Sequence, residues 1–255
     1  MNKGRYRNEW KYLISPGEQA LLRARMAVAL RPDPQAPPGG YTVRSLYFDD
    51  WQDSAFHDKE DGLFARKKYR IRIYDGSDAA IHLERKRKAG SYICKEAAPL
   101  TRAETEDLLA GRCDFLLRSP HSLCREFYIE YLCHGMRPRA IVDYEREAWV
   151  LEPGTVRVTF DSDVRAAVGG WDLFDPRLPA LPVLEPGKLV MEVKFTELLP
   201  QLVRELIPPG AAEMTAVSKY LLCREKTAWR TGPGGWTDSV PRWDGPVKQR
   251  KGGAL

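Results

Sequence analysis

Two segments of the chain place charged side chains at every second position, and this alternation is the strongest constraint on its fold. The first runs from Arg66 to Tyr74 and the second from Ile81 to Lys88. Because successive side chains of a strand point to opposite faces, each segment is predicted to be a strand with one charged face. The residues that share these faces are Arg66, Lys68, Arg70 and Arg72 on the first strand, and His82, Glu84, Lys86 and Lys88 on the second.

The density of positive charge in this region predicts a polyanionic ligand. Residues 66–95 contain ten Lys or Arg against three acidic residues, whereas the net charge of the whole chain is only +5. Like charges this close repel one another unless an anion neutralises them. Basicity that is local favours a focused anion site over a general nucleic-acid coat. The strands also lack regularly spaced aromatic side chains on which bases could stack, so we expect no nucleic acid as a partner.

The remaining pattern predicts an α+β fold built on an antiparallel sheet that closes or nearly closes, because many strand-like segments are joined by short turns. Two arrangements fit the charged faces. They could face water while the apolar faces cover a core, or they could line a wide barrel while the apolar faces pack outward against helices. The recurrence of Arg and Lys at neighbouring positions of one face favours the barrel.

Local signals define several further elements and one domain boundary. Capping boxes at Ser15–Glu18 and Thr101–Glu104 predict helices, the first from Pro16 to about Leu30. The segment from Phe127 to Cys133 is predicted to be a strand, and the segment from Ala212 to Ala228 a helix. Residues 1–229 are predicted to form one domain. Residues 230–255, in which Gly, Pro and Trp follow no period, are predicted to be a disordered tail.

Several features favour a cytoplasmic protein. The chain has five cysteines but no Cys-x-x-Cys pair, which favours reduced thiols. No apolar run is long enough to span a membrane, and the N-terminal residues do not have the pattern of a signal peptide.

A set of short strings, taken in order, resembles the catalytic domain of the vacuolar transporter chaperone (VTC) polyphosphate polymerases. That domain is one of the triphosphate tunnel metalloenzymes, which also include the CYTH phosphatases. The resemblance extends over about residues 5–225. The strings are Arg44–Asp49, Tyr69–Arg72, Leu83–Lys86, Lys95, Asp143–Arg146, Arg157–Asp161, Met191–Phe195 and Ser218–Tyr220.

The resemblance implies an antiparallel barrel of about eight strands that forms a tunnel. It also implies that ATP donates its γ-phosphate to a polyphosphate chain inside this tunnel, with Mn²⁺ or Mg²⁺ as cofactor. The residues that it implies as catalytic are Arg70, Arg72, Lys86 and Lys219. Those implied to bind substrate phosphates are Lys11, Arg44, Lys95, Arg146 and Arg157, and Glu192 is implied to hold the metal.

Several of these assignments have alternatives. Arg146 and Arg157 could instead pair with nearby acids, and Glu192 could pair with Lys194 without any metal. Glu84 could be a second metal ligand or could balance Lys86 and Lys88.

One departure from the family bears on the activity. The tunnel phosphatases begin with a Glu-x-Glu-x-Lys strand, but here Arg7 replaces the first carboxylate of the corresponding string, which ends with Glu9 and Lys11. This replacement favours a polymerase, or a module that only binds polyphosphate or nucleotide, over a two-metal triphosphatase. The polymerase complexes also carry membrane segments that this sequence lacks, so a separate membrane protein could be its partner.

Overall fold

A computed structural model of the chain describes residues 7–90, 92–151, 156–196, 198–207, 213–214 and 217–230. Nearly all of the predicted tail, residues 230–255, lies outside the described residues. The described residues form eleven strands in one sheet. The strands are β1 (Asn8–Ile14), β2 (Arg31–Pro32), β3 (Tyr41–Asp49), β4 (Ala65–Tyr74), β5 (Ser77–Ala89), β6 (Tyr92–Leu100), β7 (Arg137–Leu151), β8 (Val156–Ala167), β9 (Ala180–Pro182), β10 (Leu189–Phe195) and β11 (Glu213–Met214).

Seven helices pack against this sheet among the described residues. They are α1 (Pro16–Met26), α2 (Ser54–Glu60), α3 (Arg102–Leu109), α4 (Phe115–Arg118), α5 (Ser122–Cys133), α6 (Gln201–Leu206) and α7 (Lys219–Lys226), followed by a 3-10 turn at Ala228–Arg230. The helix α7 packs its buried Tyr220 and Cys223 against Val43 on the inner face of β3. Within the described part of the chain, no helix is both long and apolar enough to cross a lipid bilayer.

The predicted α+β fold with an antiparallel sheet is confirmed. The strand order is β11-β1-β10-β8-β7-β3-β4-β5-β6, with β2 paired to β7 and β9 paired to β8, and every pairing is antiparallel. The long edges, β1 and β6, do not form a continuous ladder with each other. They meet at one isolated bridge, in which Arg7 and Ile93 exchange two backbone hydrogen bonds of 3.1 Å.

The apolar faces of the strands point outward, as the barrel interpretation predicted. On one side, Ile71 and Leu83 pack with Phe127 of α5 in a buried cluster. On the other side, Met191 packs with Met26 of α1 in a second cluster. Because side chains alternate along a strand, burying these residues under helices turns the charged face of each strand toward the inside of the barrel.

Two helix predictions are confirmed at their starts, and three element predictions are corrected. Ser15 and Thr101 cap α1 and α3 with complete capping boxes. The helix α1 ends at Met26, because the chain must reach Arg31–Pro32 in an extended form to pair with β7. The segment from Phe127 to Cys133 was predicted as a strand but is the second half of α5. The helix predicted from Ala212 starts only at Lys219, and Glu213–Met214 pair with β1 instead; residues 215 and 216 lie outside the described residues.

Candidate functional site

A cavity of about 500 Å³ lies inside the barrel, and its walls carry far more positive than negative charge. Eleven Lys or Arg side chains and two Glu side chains line it. They come from β1, β4, β5, β7 and β10, and from α2 and α7. An enclosed wall with this excess of cations is a site for an anion with several charges.

Seven of the ten site residues proposed from the sequence line this one cavity. They come from six different elements that are far apart in the chain. The seven are Lys11, Arg70, Arg72, Lys86, Arg146, Glu192 and Lys219.

The guanidinium groups of Arg70 and Arg72 are held by neutral and acidic partners on three neighbouring strands. Arg70 binds Glu84 at 2.6 Å and donates to the hydroxyl of Tyr47 at 2.7 Å. Arg72, which is buried, donates to the hydroxyls of Ser45 at 3.0 Å and Tyr144 at 3.1 Å. These contacts fix the two planar forks before any ligand arrives, which lowers the entropic cost of binding phosphate oxygens.

Glu84 supports Arg70 and does not balance Lys86 or Lys88. Its carboxylate binds Arg70 and also accepts from Lys95 at 2.9 Å. Burial raises the pKa of Glu84, but Arg70, Arg72 and Lys95 outweigh burial and lower this pKa below its usual range. Glu84 is therefore a charged positioning residue behind the cavity wall.

Glu192 is surrounded by cations from four different elements. Its oxygens lie 2.9 Å from Lys219 and 2.8 Å from Lys194, with Lys11 at 3.5 Å and Arg146 at 3.8 Å. Burial raises the pKa of Glu192, but these four cations together hold it well below its usual range. The carboxylate is thus the centre of a buried ion cluster. The pairing with Lys194, which the sequence left open, is present.

Two further carboxylates complete the charge balance of the inner wall. Asp161 is fully buried and binds Arg146 at 2.6 Å and Lys219 at 2.6 Å. Glu9 binds Lys86 at 2.7 Å. Burial raises the pKa of Glu9, but Lys86 and Lys11 outweigh burial and lower this pKa to about 2. The inner cations are therefore partly neutralised by these carboxylates, which lowers the repulsion among them.

The helix α7 brings Lys219 into the cavity and is fixed to the end of β3 and to the loop before α2. Ser218 caps the helix, so Lys219 is its first residue. The hydroxyl of Tyr220 donates to Asp49 at 2.6 Å, and Arg224 makes two bonds of 2.8 and 2.9 Å to Asp53. The sequence analysis did not predict this support, because it did not predict a helix at α2.

Three of the proposed phosphate-binding residues do not line the cavity. Arg44 lies on the outer face of β3, since Ser45 and Tyr47 point inward, and its guanidinium makes two bonds to Asp143 at 2.8 and 2.9 Å. Arg157 pairs with Asp33 at 2.8 Å, as the alternative interpretation allowed.

Lys95 is the third of these residues. Its side chain is 52% exposed, and its ammonium binds Glu84.

Five further cations line the cavity that were not proposed as site residues. Four of them lie on the charged strand faces that the sequence predicts. Each shares a face with Arg70, Lys86 or Glu192, and this alternation could have identified them. The fifth belongs to α2, which the sequence reasoning missed. The five are Lys59, Arg66, Lys68, Lys88 and Lys194.

The donor set fits a metal that is held mainly by substrate phosphates. Among the described residues, no group of three or more His, Cys, Asp or Glu side chains could enclose a metal ion. Glu192 and Glu9 are the carboxylates on the cavity wall. Mg²⁺ is commonly bound through one or two carboxylates together with substrate phosphates and water. A metal at Glu192 therefore fits the chemistry, provided that phosphates take over the lysines now bound to this carboxylate.

Comparison with protein-family models identifies one family. Residues 6–227 match the family model of the VTC domain. None of the curated proteins matches the chain.

Solved structures with a similar backbone come from archaea and bacteria. A candidate adenylate cyclase from Vibrio parahaemolyticus is 10% identical, with a TM-score of 0.48, over 86% of this chain and 99% of that one. A candidate adenylate cyclase from Bacillus halodurans is 11% identical, with a TM-score of 0.45, over 91% of both chains. The PH1819 protein from Pyrococcus horikoshii is 12% identical, with a TM-score of 0.44, over 86% of this chain and 99% of that one.

Proposed function

Because the chain belongs to the VTC domain family, we propose that it is a phosphotransferase of the polyphosphate polymerase type, which moves the γ-phosphate of ATP onto a polyphosphate chain. The observation that carries this proposal is the cavity wall, where eleven cations face two carboxylates inside a barrel. A ligand that neutralises such a wall must carry several negative charges along its length. Polyphosphate and the triphosphate of ATP both do.

The reaction requires positioning and charge stabilisation and little covalent participation from the protein. A terminal oxygen of the chain attacks the γ-phosphorus, the bond between this phosphorus and the bridging oxygen to the β-phosphate breaks, and ADP leaves with that oxygen. Arg70 and Arg72 would hold the equatorial oxygens of the transferred group. Lys86 and Lys219 would bind the phosphates on either side of it.

A metal would add to this charge stabilisation. We propose Glu192 as its protein ligand, and when bound, Mn²⁺ or Mg²⁺ would neutralise charge on the phosphate oxygens. The lysines that are paired with Glu192 can also bind the phosphates, because each ammonium has three donors on a flexible stem and can contact more than one oxygen.

The arrangement around Glu9 favours a polymerase over a two-metal triphosphatase. Arg7 stands where the phosphatases have their first carboxylate, and its backbone forms the bridge to Ile93. Glu9, at the second position, is already bound to Lys86 and has Lys11 at 3.7 Å. A wall with this charge pattern supplies one carboxylate, Glu192, for a metal and many cations for a chain.

The test is incubation of the purified protein with ATP and Mn²⁺, followed by gel analysis of phosphate chains and assays of ADP and free phosphate. Chains that form in step with ADP would support the polymerase. Free phosphate without chains would identify a triphosphatase. If neither chains nor free phosphate formed, the protein would be a module that only binds polyphosphate or nucleotide.

A variant pair shows whether the cavity carries the activity. The change R70Q/R72Q removes two cations from the inner face of β4 and should lower the rate by at least about a hundredfold, because each residue makes charge-assisted bonds to the transferred group. The matched control is K67Q/R87Q, hereafter the outer-face control. It removes two cations that lie directly opposite each other on the outer face of β4 and β5, and it should retain the wild-type rate. A similar loss in both variants would contradict the placement of the active site in the cavity.

A further inference from the structure

The pairing of charges changes along the barrel wall formed by β4 and β5. In the register of these strands, Arg70 lies directly opposite Glu84, which is a pair of opposite charges. The next two inward pairs toward the start of β4 are like-charged: Lys68 opposite Lys86, and Arg66 opposite Lys88. Like charges directly opposite each other destabilise a sheet. The two like-charged pairs therefore destabilise the sheet at this end, whereas the pair of Arg70 and Glu84 does not.

Lys86 is paired with Glu9, whereas the other cations at this end have no carboxylate within ion-pair distance among the described residues. We call Lys59, Arg66, Lys68 and Lys88 the outer cations. All four line the cavity, and none of them forms an ion pair with a carboxylate of the described residues. Lys59 joins them from α2 and is close enough to Arg66 and Lys88 for both to lower its pKa, after burial as the main cause.

Two of the outer cations, Lys68 and Arg66, contact neutral groups. The ammonium of Lys68 lies 4.4 Å from the centre of the Tyr220 ring. The guanidinium of Arg66 donates to the backbone oxygens of Leu63 at 3.3 Å and Asp58 at 3.5 Å. The ring and the carbonyl oxygens orient these cations without cancelling their charge, so the outer end of the cavity remains available to an anion.

Two acids close to the outer cations, Asp49 and Glu60, are bound to other groups. Asp49 accepts from the hydroxyl of Tyr220 and from the backbone of Ala55 and Phe56. Glu60, on the same helix as Lys59, binds His57 at 3.2 Å.

We propose that Lys59, Arg66, Lys68 and Lys88 form an outer subsite for the phosphate units of a linear polyphosphate that extends beyond the inner site. This inference rests on the proposed function and adds a distinction between ligands of different length. Arg66 and Arg72 are six residues apart on β4, a separation of about 20 Å along the strand. A triphosphate held between Arg70 and Arg72 covers only part of this length, whereas a longer chain can extend along β4 to Arg66 and the other outer cations.

The test compares two ligands and two variants by calorimetry at about 0.15 M salt, where distant surface charges are screened. The change R66Q/K88Q removes one cross-strand pair of outer cations. The outer-face control removes the adjacent pair on the other face of the same strands. We expect R66Q/K88Q to weaken binding of a long linear polyphosphate at least about tenfold, as loss of two charge-assisted contacts would. It should change the Kd of inorganic triphosphate less than about twofold, and the outer-face control should change neither.

Each alternative result is decisive. Equal weakening of both ligands, or of neither, would overturn the outer subsite. If R66Q/K88Q does not fold, as judged by circular dichroism, K59Q tests the same subsite from α2 and should again weaken only the long chain. Failure of the proposed function is distinguishable: a wild-type protein that binds both ligands but neither elongates chains nor consumes ATP would lack the activity and retain the outer subsite.

Discussion

At the scale of single residues, Glu192 balances more positive charge than any other side chain of the cavity wall described here. It lies within 4 Å of Lys11, Arg146, Lys194 and Lys219. These cations are drawn together from β1, β7, β10 and α7, so the carboxylate joins elements that share no local sequence. Removing one partner from a buried ion cluster is costly because the remaining charges are left without compensation.

We therefore expect E192Q to lower the free energy of unfolding by about 3 kcal/mol at neutral pH. Inorganic triphosphate should stabilise this variant by a larger increment than it stabilises the wild type, since an anion replaces the missing negative charge. Denaturant titration with and without triphosphate measures both values. The control is E145Q, an exposed carboxylate on β7, which should be nearly neutral. An E192Q protein as stable as the wild type would show that the cations do not need this carboxylate.

Lys68 predicts a dependence of anion binding on pH. Its pKa is lowered to about 7, mainly by burial; Asp49 raises this pKa, and the neighbouring cations Lys11, Lys86 and Lys59 lower it. Because the pKa in the folded protein is depressed, the ammonium is present below about pH 7 and is lost as the pH rises above it. The charged groups that face Lys68 are Asp49 of β3, Lys11 of β1, Lys86 of β5 and Lys59 of α2, with the Tyr220 ring of α7 beneath it.

Affinity for long polyphosphate should accordingly fall between pH 6 and pH 8.5, by about tenfold through this group alone. The variant K68R should lose that part of the dependence, because a guanidinium stays charged throughout. The matched control is K67R, the same substitution one position away on the outer face, which should keep the wild-type profile. Identical profiles for K68R and the wild type would show that Lys68 does not titrate in this range.

Two proposed phosphate-binding residues that do not line the cavity are each bound by an acid that is distant in the chain. Arg44 is bound by Asp143, which is 99 positions away in the chain, and Arg157 is bound by Asp33. Which cation has an acid opposite it depends on the register of strands that are distant in sequence. Alternation predicts the face of the strand on which a cation lies, but the register decides whether it is neutralised.

At the scale of elements, the helix α7 depends on the loop before α2 for its position. The guanidinium of Arg224 binds both oxygens of Asp53, and Arg139 of β7 approaches the same carboxylate at 3.2 Å. Asp53 itself has a positive φ of 55°, an uncommon backbone conformation for which Asp is better suited than most residues. Asp53 thus fixes the loop before α2 to α7 through Arg224, which lies five residues after Lys219.

We expect R224Q to loosen α7 while leaving the barrel folded. The free energy of unfolding should fall by about 1–3 kcal/mol, because a bidentate charged contact is lost. Amide hydrogen exchange of residues 219–226 should accelerate more than that of β4 and β5. Triphosphate should bind more weakly because Lys219 is less well positioned. The exposed R204Q, on α6, serves as the control, and unchanged exchange in R224Q would show that Asp53 does not fix the helix.

Sequence patterns predicted strands more reliably than helices in this chain, and the geometry explains why. A strand with one charged and one apolar face repeats every two residues, so β4, β5 and β10 were recognisable within eight or so positions. The helix α5 buries Leu123, Cys124, Phe127 and Tyr131 at helical spacing, but its second half contains aromatic and β-branched residues, which are also common in strands. The helix α2 buries only Ala55 and offers no comparable pattern.

At the scale of the whole molecule, the barrel is held closed between its long edges by a single bridge. Elsewhere, neighbouring strands share ladders of several residues, but between β1 and β6 the described residues share only the bridge of Arg7 and Ile93. The bridge lies at the same end as the outer cations, since Ile93 is paired with Lys88 across β5 and β6. Repulsion among these cations therefore acts on the weakest seam of the barrel.

The variant I93P tests the role of this seam. The N–H of Ile93 donates to the carbonyl of Arg7, so proline removes a bond of the seam and leaves the ladder between β5 and β6 in place. The free energy of unfolding should fall by about 1 kcal/mol. Hydrogen exchange of the β1 amides should accelerate, and long polyphosphate should bind more weakly than it does to the wild type. The control I93V keeps the N–H and should match the wild type.

If I93P retained both the protection of β1 and the affinity for polyphosphate, the continuous ladders alone would hold the barrel in its binding shape. Saturating polyphosphate should in turn restore protection of β1 in I93P, because a bound polyanion removes the repulsion that opens the seam.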